Sequence, residues 1–77
     1  MSVKIYTTNT CPWCVKTKEY LASNGISYDE INVSKDREAA KEMIEKSGQR
    51  GVPVVDIDGS IVVGFDKNKL NELLNID

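Results

Sequence analysis

Apolar positions recur along this chain with two different periods. VKIYT is short, β-branched and aromatic, and predicts a strand over Val3–Thr7. A helix is expected next, opening at Thr10 or at the cysteine turn that follows. Pro12 suits its first turn, where a missing N–H costs nothing. This helix should run to about Asn24, because Asn24-Gly25 is a good C-terminal stop. ISYDEINV, residues 26–33, alternates loosely and predicts a second strand. Ser34 is then placed to cap a helix in which Ala40, Met43, Ile44 and Ser47 recur at spacings of three and four, giving one apolar face. Glu42 and Lys46 form a favourable i,i+4 pair on that helix, and Gly48 ends it.

QRGVPVVDIDGSIVVGFD reads as a hairpin. Its strands are VPVVDI and SIVVG, and Asp58-Gly59 is a strong two-residue turn signal. Asp66 is placed to cap a last helix with Leu70, Leu73 and Leu74 as its buried stripe. The expected order is therefore β-α-β-α-β-β-α, an α/β architecture. Two strands joined through a helix should be parallel, with a right-handed crossover, and the hairpin strands antiparallel. Helices should cover both faces of a four-stranded mixed sheet.

Composition narrows the function classes. The 77 residues leave room for one domain, expected to span 1–77. The 10 basic and 12 acidic residues give a net charge of −2, so no nucleic-acid footprint is expected. No apolar stretch approaches the roughly 20 residues of a membrane helix, so no membrane partner is expected. MSVKIYTTNT has no apolar core of the kind a secretory leader carries, which makes the cytoplasm the expected compartment. There thiols are kept reduced, and the disulfides that do form are usually transient and catalytic.

Both cysteines of the chain lie in TTNTCPWCVK. A structural staple would normally come with further bridges in a secreted context. A self-contained zinc site needs about four ligands, and the chain has no histidine and no third cysteine. Residues i and i+3 share a helix face, so the two sulfurs can meet. At a helix start, unpaired N–H groups and the helix dipole favour a thiolate at Cys11. Cys14, one turn deeper, should be less exposed. Cys11 is thus the expected nucleophile toward a substrate disulfide, and Cys14 the resolving thiol. Lys16 and Lys18 add positive charge nearby. Trp13, between the cysteines, is expected to face outward and offer a flat apolar surface to a partner.

KIYTTNTCPWC, GVPVV and VVGFD together resemble the glutaredoxin branch of the thioredoxin fold, in its minimal form, over nearly the whole chain. The resemblance implies a dithiol–disulfide oxidoreductase, with Pro12, Trp13, Val52, Pro53, Gly64 and Phe65 as substrate-binding residues. It implies a cis Val52-Pro53 bond, with the Val52 backbone pairing an extended substrate. The expected partners are disulfide-containing proteins, and the chain is expected to act as a monomer. No cofactor is expected in the chain beyond the Cys11-Cys14 disulfide. Glutathione or a thioredoxin-reductase-type enzyme is the expected electron source. Glutathione-using members often carry lysine where this chain has Thr8, T-V-P where it has Gly51-Val52-Pro53, and an acid where Lys67 falls. Here Asp66 is expected to be a helix cap, while Arg50 or Lys67 could meet a glutathione carboxylate. The pattern is also similar to glutaredoxin-like hydrogen donors of ribonucleotide reductase. The alternative reading is an iron–sulfur cluster held between two chains with added thiols.

Overall fold

The computed structural model describes residues 2–76. Its elements are β1 (Val3–Thr7), α1 (Pro12–Ser23), β2 (Asp29–Asn32), α2 (Arg37–Ser47), β3 (Val54–Ile57), β4 (Ser60–Val63) and α3 (Lys67–Leu74). The strands form one sheet in the order β2-β1-β3-β4. β1 runs parallel to β2 and antiparallel to β3, and β3 runs antiparallel to β4. This is the mixed sheet that the two hydrophobic periods predict.

Strand alternation divides the interior into two clusters. Val3, Ile5, Val55, Ile57 and Val62 point to one face, where Leu21 of α1 and Leu70 and Leu74 of α3 cover them. Tyr6 and Val54 point to the other, against Ala39 and Met43 of α2. Helices therefore close both sides, and the central strands β1 and β3 are buried almost throughout.

Two local expectations are corrected. The second strand is four residues long, not eight. Among the described residues it pairs with β1 alone, whose Lys4 meets Asp29, so residues before Asp29 have almost no strand to pair with. Ile26 instead donates its N–H to the Leu21 carbonyl at 2.9 Å, which ties it to the end of α1. Ser34 is not the cap of α2. Asn32 holds it in a turn by accepting the Ser34 N–H at 2.9 Å, and Asp36 caps the helix by accepting from the Ala39 N–H at 3.1 Å. A carboxylate caps as well as a hydroxyl, and the sequence offers both within three positions. Gly48 does end α2. The Asp58-Gly59 turn has both residues at positive φ, as a tight hairpin turn requires.

The Glu42–Lys46 pair forms at 2.8 Å, but Lys46 also reaches Asp56 of β3 at 2.7 Å and the Tyr6 hydroxyl at 3.1 Å. Tyr6 in turn donates to Glu42 at 2.9 Å. Burial alone would raise the Asp56 carboxyl, but the Lys46 ammonium and the Gly59 N–H outweigh it and hold it below the usual range. An aspartate in the unfolded chain takes up its proton near about pH 4. The stability from Asp56 is therefore complete above that pH and is lost as pH falls through the lower folded value. Lys46→Met should cost about 1–3 kcal/mol at pH 7, because it leaves a buried carboxylate short of a partner. It should also flatten the loss of stability as pH falls below about 4, leaving the share of Glu30, which Lys18 and Thr7 hold low. Urea unfolding at a series of pH values checks this; an acid slope equal to that of the parent protein would mean that Lys46 carries none of it.

Candidate active site

The register of the sheet brings three chain segments to one rim. β1 ends at Thr7, and its chain continues into the cysteine turn. β3 begins opposite that end, since Val54 pairs with Tyr6. β4 finishes there too, with Val63 beside Val54. Pro53 and Gly64 are consequently neighbours, and the Gly64 N–H donates to the Pro53 carbonyl at 2.8 Å.

Cys11 is the N-cap of α1. Its backbone is extended, and its Sγ accepts the Cys14 N–H at 3.1 Å. Its carbonyl accepts from Cys14 and Val15 at 3.1 and 3.2 Å, closing the first turn. Pro12 follows as the first helical residue, and the first turn carries no acidic side chain to cancel the helix dipole. The two cysteines are joined as a disulfide, with Cα atoms 5.2 Å apart. Their surroundings differ: Cys14 is 1% exposed, whereas Cys11 is half-buried. Thr17, fully buried below them, donates to the Trp13 carbonyl at 2.7 Å.

Of the sequence-derived site residues, Trp13, Val52, Pro53, Gly64 and Phe65 line one groove of about 290 Å³. Pro12 is exposed at the helix start and is not part of its wall. Trp13 is 57% exposed and lies 6.3 Å, centroid to centroid, from Phe65. The Val52-Pro53 bond is cis, as the resemblance implies. The loop before it is held by Gln49, whose side-chain amide both accepts from the Gly51 N–H at 2.9 Å and donates to the Gly51 carbonyl at 3.0 Å. A Cβ on residue 51 would stand 2.8 Å from Gln49 Oε1, so this clip uses glycine where T-V-P sequences carry threonine. Gly64 turns the chain at φ 76°, a conformation that side chains resist, and delivers Phe65 to the groove.

Asp66 caps α3, its Oδ1 accepting from the Lys69 N–H at 3.1 Å. Lys67 Nζ lies 5.2 Å from the centre of the Tyr20 ring. Lys16 lies 5.6 Å from that of Trp13, whereas Lys18 is drawn away to Glu30 at 2.9 Å. Tyr20 packs edge-on against Phe65 at 5.7 Å, and its hydroxyl donates to Asn71 of α3. Tyr20 lies outside the sequence motifs of the site, although Trp13, Lys16 and Tyr20 at i, i+3 and i+7 share one face of α1.

A cysteine pair at the first turn of the helix after β1, in this β-α-β-α-β-β-α fold, defines the thioredoxin-like class of thiol–disulfide redox proteins. Residues 3–62 match the glutaredoxin family model, and the chain belongs to the glutaredoxin family. It is 51% identical to an uncharacterised glutaredoxin-like 8.6 kDa protein in the rubredoxin operon of Clostridium pasteurianum, covering 94% of this chain and 96% of that one. It is 38% identical to glutaredoxin 3 of Escherichia coli K12, over 84% of this chain and 78% of that protein. The structure superposes on the glutaredoxin-like NrdH-redoxin of E. coli with a TM-score of 0.85 at 34% identity, covering 95% of each chain. That protein is described as having a thioredoxin-like activity profile. These likenesses support thiol–disulfide oxidoreductase activity in general terms.

Proposed function

We propose that this chain reduces protein disulfides, with Cys11 as nucleophile and Cys14 as resolving thiol. The observation that carries this reading is the unequal setting of the two sulfurs: Cys11 at the helix N-cap and half-buried, Cys14 buried beneath it. In the reduced protein the Cys11 thiolate attacks one sulfur of the substrate disulfide. A Cys11–substrate bond forms, and the other substrate sulfur leaves and takes a proton. The Cys14 thiolate, having given up its proton, then attacks Cys11, the remaining substrate thiolate leaves and is protonated, and the Cys11-Cys14 disulfide closes. Two electrons have passed to the substrate, and no resident metal or organic cofactor is required. An extended substrate segment lies along the groove, with the Val52 backbone pairing to it as a short strand.

Recycling needs two electrons and two protons from outside. A thioredoxin-reductase-type flavoprotein suits this site better than glutathione. The Asp66 carboxylate is already engaged by the Lys69 N–H, and Lys67 places a cation where glutathione-using relatives often offer an acid to the glutathione ammonium. The thioredoxin-like profile described for the E. coli NrdH-redoxin is in keeping with this. Oxidised protein should be reduced at least about tenfold more efficiently by such a reductase with NADPH than by glutathione with glutathione reductase, a difference of about 1.4 kcal/mol. NADPH consumption in parallel assays measures it, and equal or inverted efficiencies would assign recycling to glutathione.

A further inference from the structure

The groove beside the cysteines does not end at Phe65. A second, shallower depression of about 580 Å³ shares Phe65 with it and continues along α1, lined by Lys16, Glu19, Tyr20, Ala22 and Ser23. The rings of Trp13, Phe65 and Tyr20 form a continuous stripe across both, with centroid separations of 6.3 and 5.7 Å. Lys16 lies beside Trp13 and Lys67 beside Tyr20, each within cation–π range of the ring. Neither ammonium has a carboxylate within salt-bridge distance among the described residues, unlike Lys18 and Lys46. On a chain of net charge −2, two such lysines over one aromatic stripe form a local positive feature. Glu19 is the opposing charge lining the second depression, and Asp66 is turned to its own helix.

We propose that this stripe is a docking surface for the protein substrate, selecting segments that carry an apolar side chain flanked by acidic residues near the reactive disulfide. The proposal rests on the disulfide-reductase reading and adds a substrate class to it. The apolar side chain lies against Phe65 and Tyr20, and the carboxylates meet Lys16 and Lys67. Tyr20 is held by its hydrogen bond to Asn71, so the surface is formed before the substrate arrives. Exposed ion pairs of this kind contribute modestly, so the preference should be a matter of severalfold and should fade with salt.

The test uses the pre-reduced protein in single turnover, followed by Trp13 fluorescence. Three disulfides are compared: neutral hydroxyethyl disulfide, and two peptide disulfides that differ only in aspartates or lysines beside the cysteine. The parent protein should favour the acidic peptide by about 3–10-fold in second-order rate at low salt, and by less at 0.5 M salt. Lys16→Glu/Lys67→Glu should invert the ratio of the two peptide rates, each taken relative to hydroxyethyl disulfide in the same variant, so that any common change in Cys11 reactivity cancels. Lys41→Glu, on the exposed face of α2, should leave the preference intact. A peptide ratio that the double charge reversal does not move would overturn the docking proposal while the reductase reading stands. Failure of the parent protein to reduce any of the three would instead overturn the reductase reading.

Discussion

Replacing Cys11 with serine should lower disulfide reduction by at least about a thousandfold with every donor and substrate, because a neutral hydroxyl replaces a thiolate as nucleophile. Serine is the informative choice. Cys11 is the N-cap of α1, with its Sγ accepting the Cys14 N–H, and a serine oxygen makes the same kind of cap. The helix start is therefore preserved, and the loss reports on chemistry. Cys14→Ser separates the two halves of the reaction. Attack by Cys11 survives, resolution does not, and mixed disulfides with protein partners should accumulate and be visible by non-reducing mass spectrometry. The assignment of roles has its own check: in the reduced protein Cys11 should be alkylated first at neutral pH. Faster labelling of Cys14, now 1% exposed, would reverse the two roles.

Leu21→Ala should be the most damaging of the simple core truncations on α1, at about 2–5 kcal/mol. Leu21 is fully buried and packs within the cluster of Val3, Ile5, Val55, Ile57, Val62, Leu70 and Leu74. Its carbonyl also receives the Ile26 N–H that closes the end of the helix, so the backbone there has little freedom to collapse into the space left. Domains of this size are stable by roughly 0.05–0.15 kcal/mol per residue, so the loss removes a large part of the total. At about 4–8 °C per kcal/mol the melting temperature should drop on the order of 20 °C. Val15→Ala, on the exposed side of the same helix, should change stability by less than about 0.5 kcal/mol. Thermal unfolding of the two variants side by side tests the contrast, and similar losses would mean that α1 is not fastened to the sheet through Leu21.

The fold was legible in the sequence because its signals are local and agree with one another. VKIYT, the Asp58-Gly59 turn, Gly48 and the Asp66 cap each specify their own few residues, and the element order follows. What escaped was set by contacts that no single motif announces, some local and some far along the chain. The short second strand depends on where β1 begins, and Ser34 lost the capping role to Asp36 because Asn32 claimed its backbone. Lys46 could be paired with Glu42 from spacing alone, but Asp56 and Tyr6 reach it only through the sheet. At the site, the cysteine pair and the cis proline were readable as motifs. The directions of Lys16, Lys18 and Lys67 were not, since each depends on which ring or carboxylate the fold brings near.

The strand register has a further consequence for how this molecule can be handled. Cysteine turn, Pro53 and Gly64 crowd one rim of the sheet, while Ser2 and the Asp58-Gly59 turn meet at the other, with the Ser2 N–H donating to Asp58 at 2.7 Å and the Asp58 N–H returning to Ser2 at 2.9 Å. The protein thus has a working pole and a quiet one. A dye, a surface tether or a fused domain attached at the hairpin turn would point away from any docking partner, leaving the redox end free to report on what it meets.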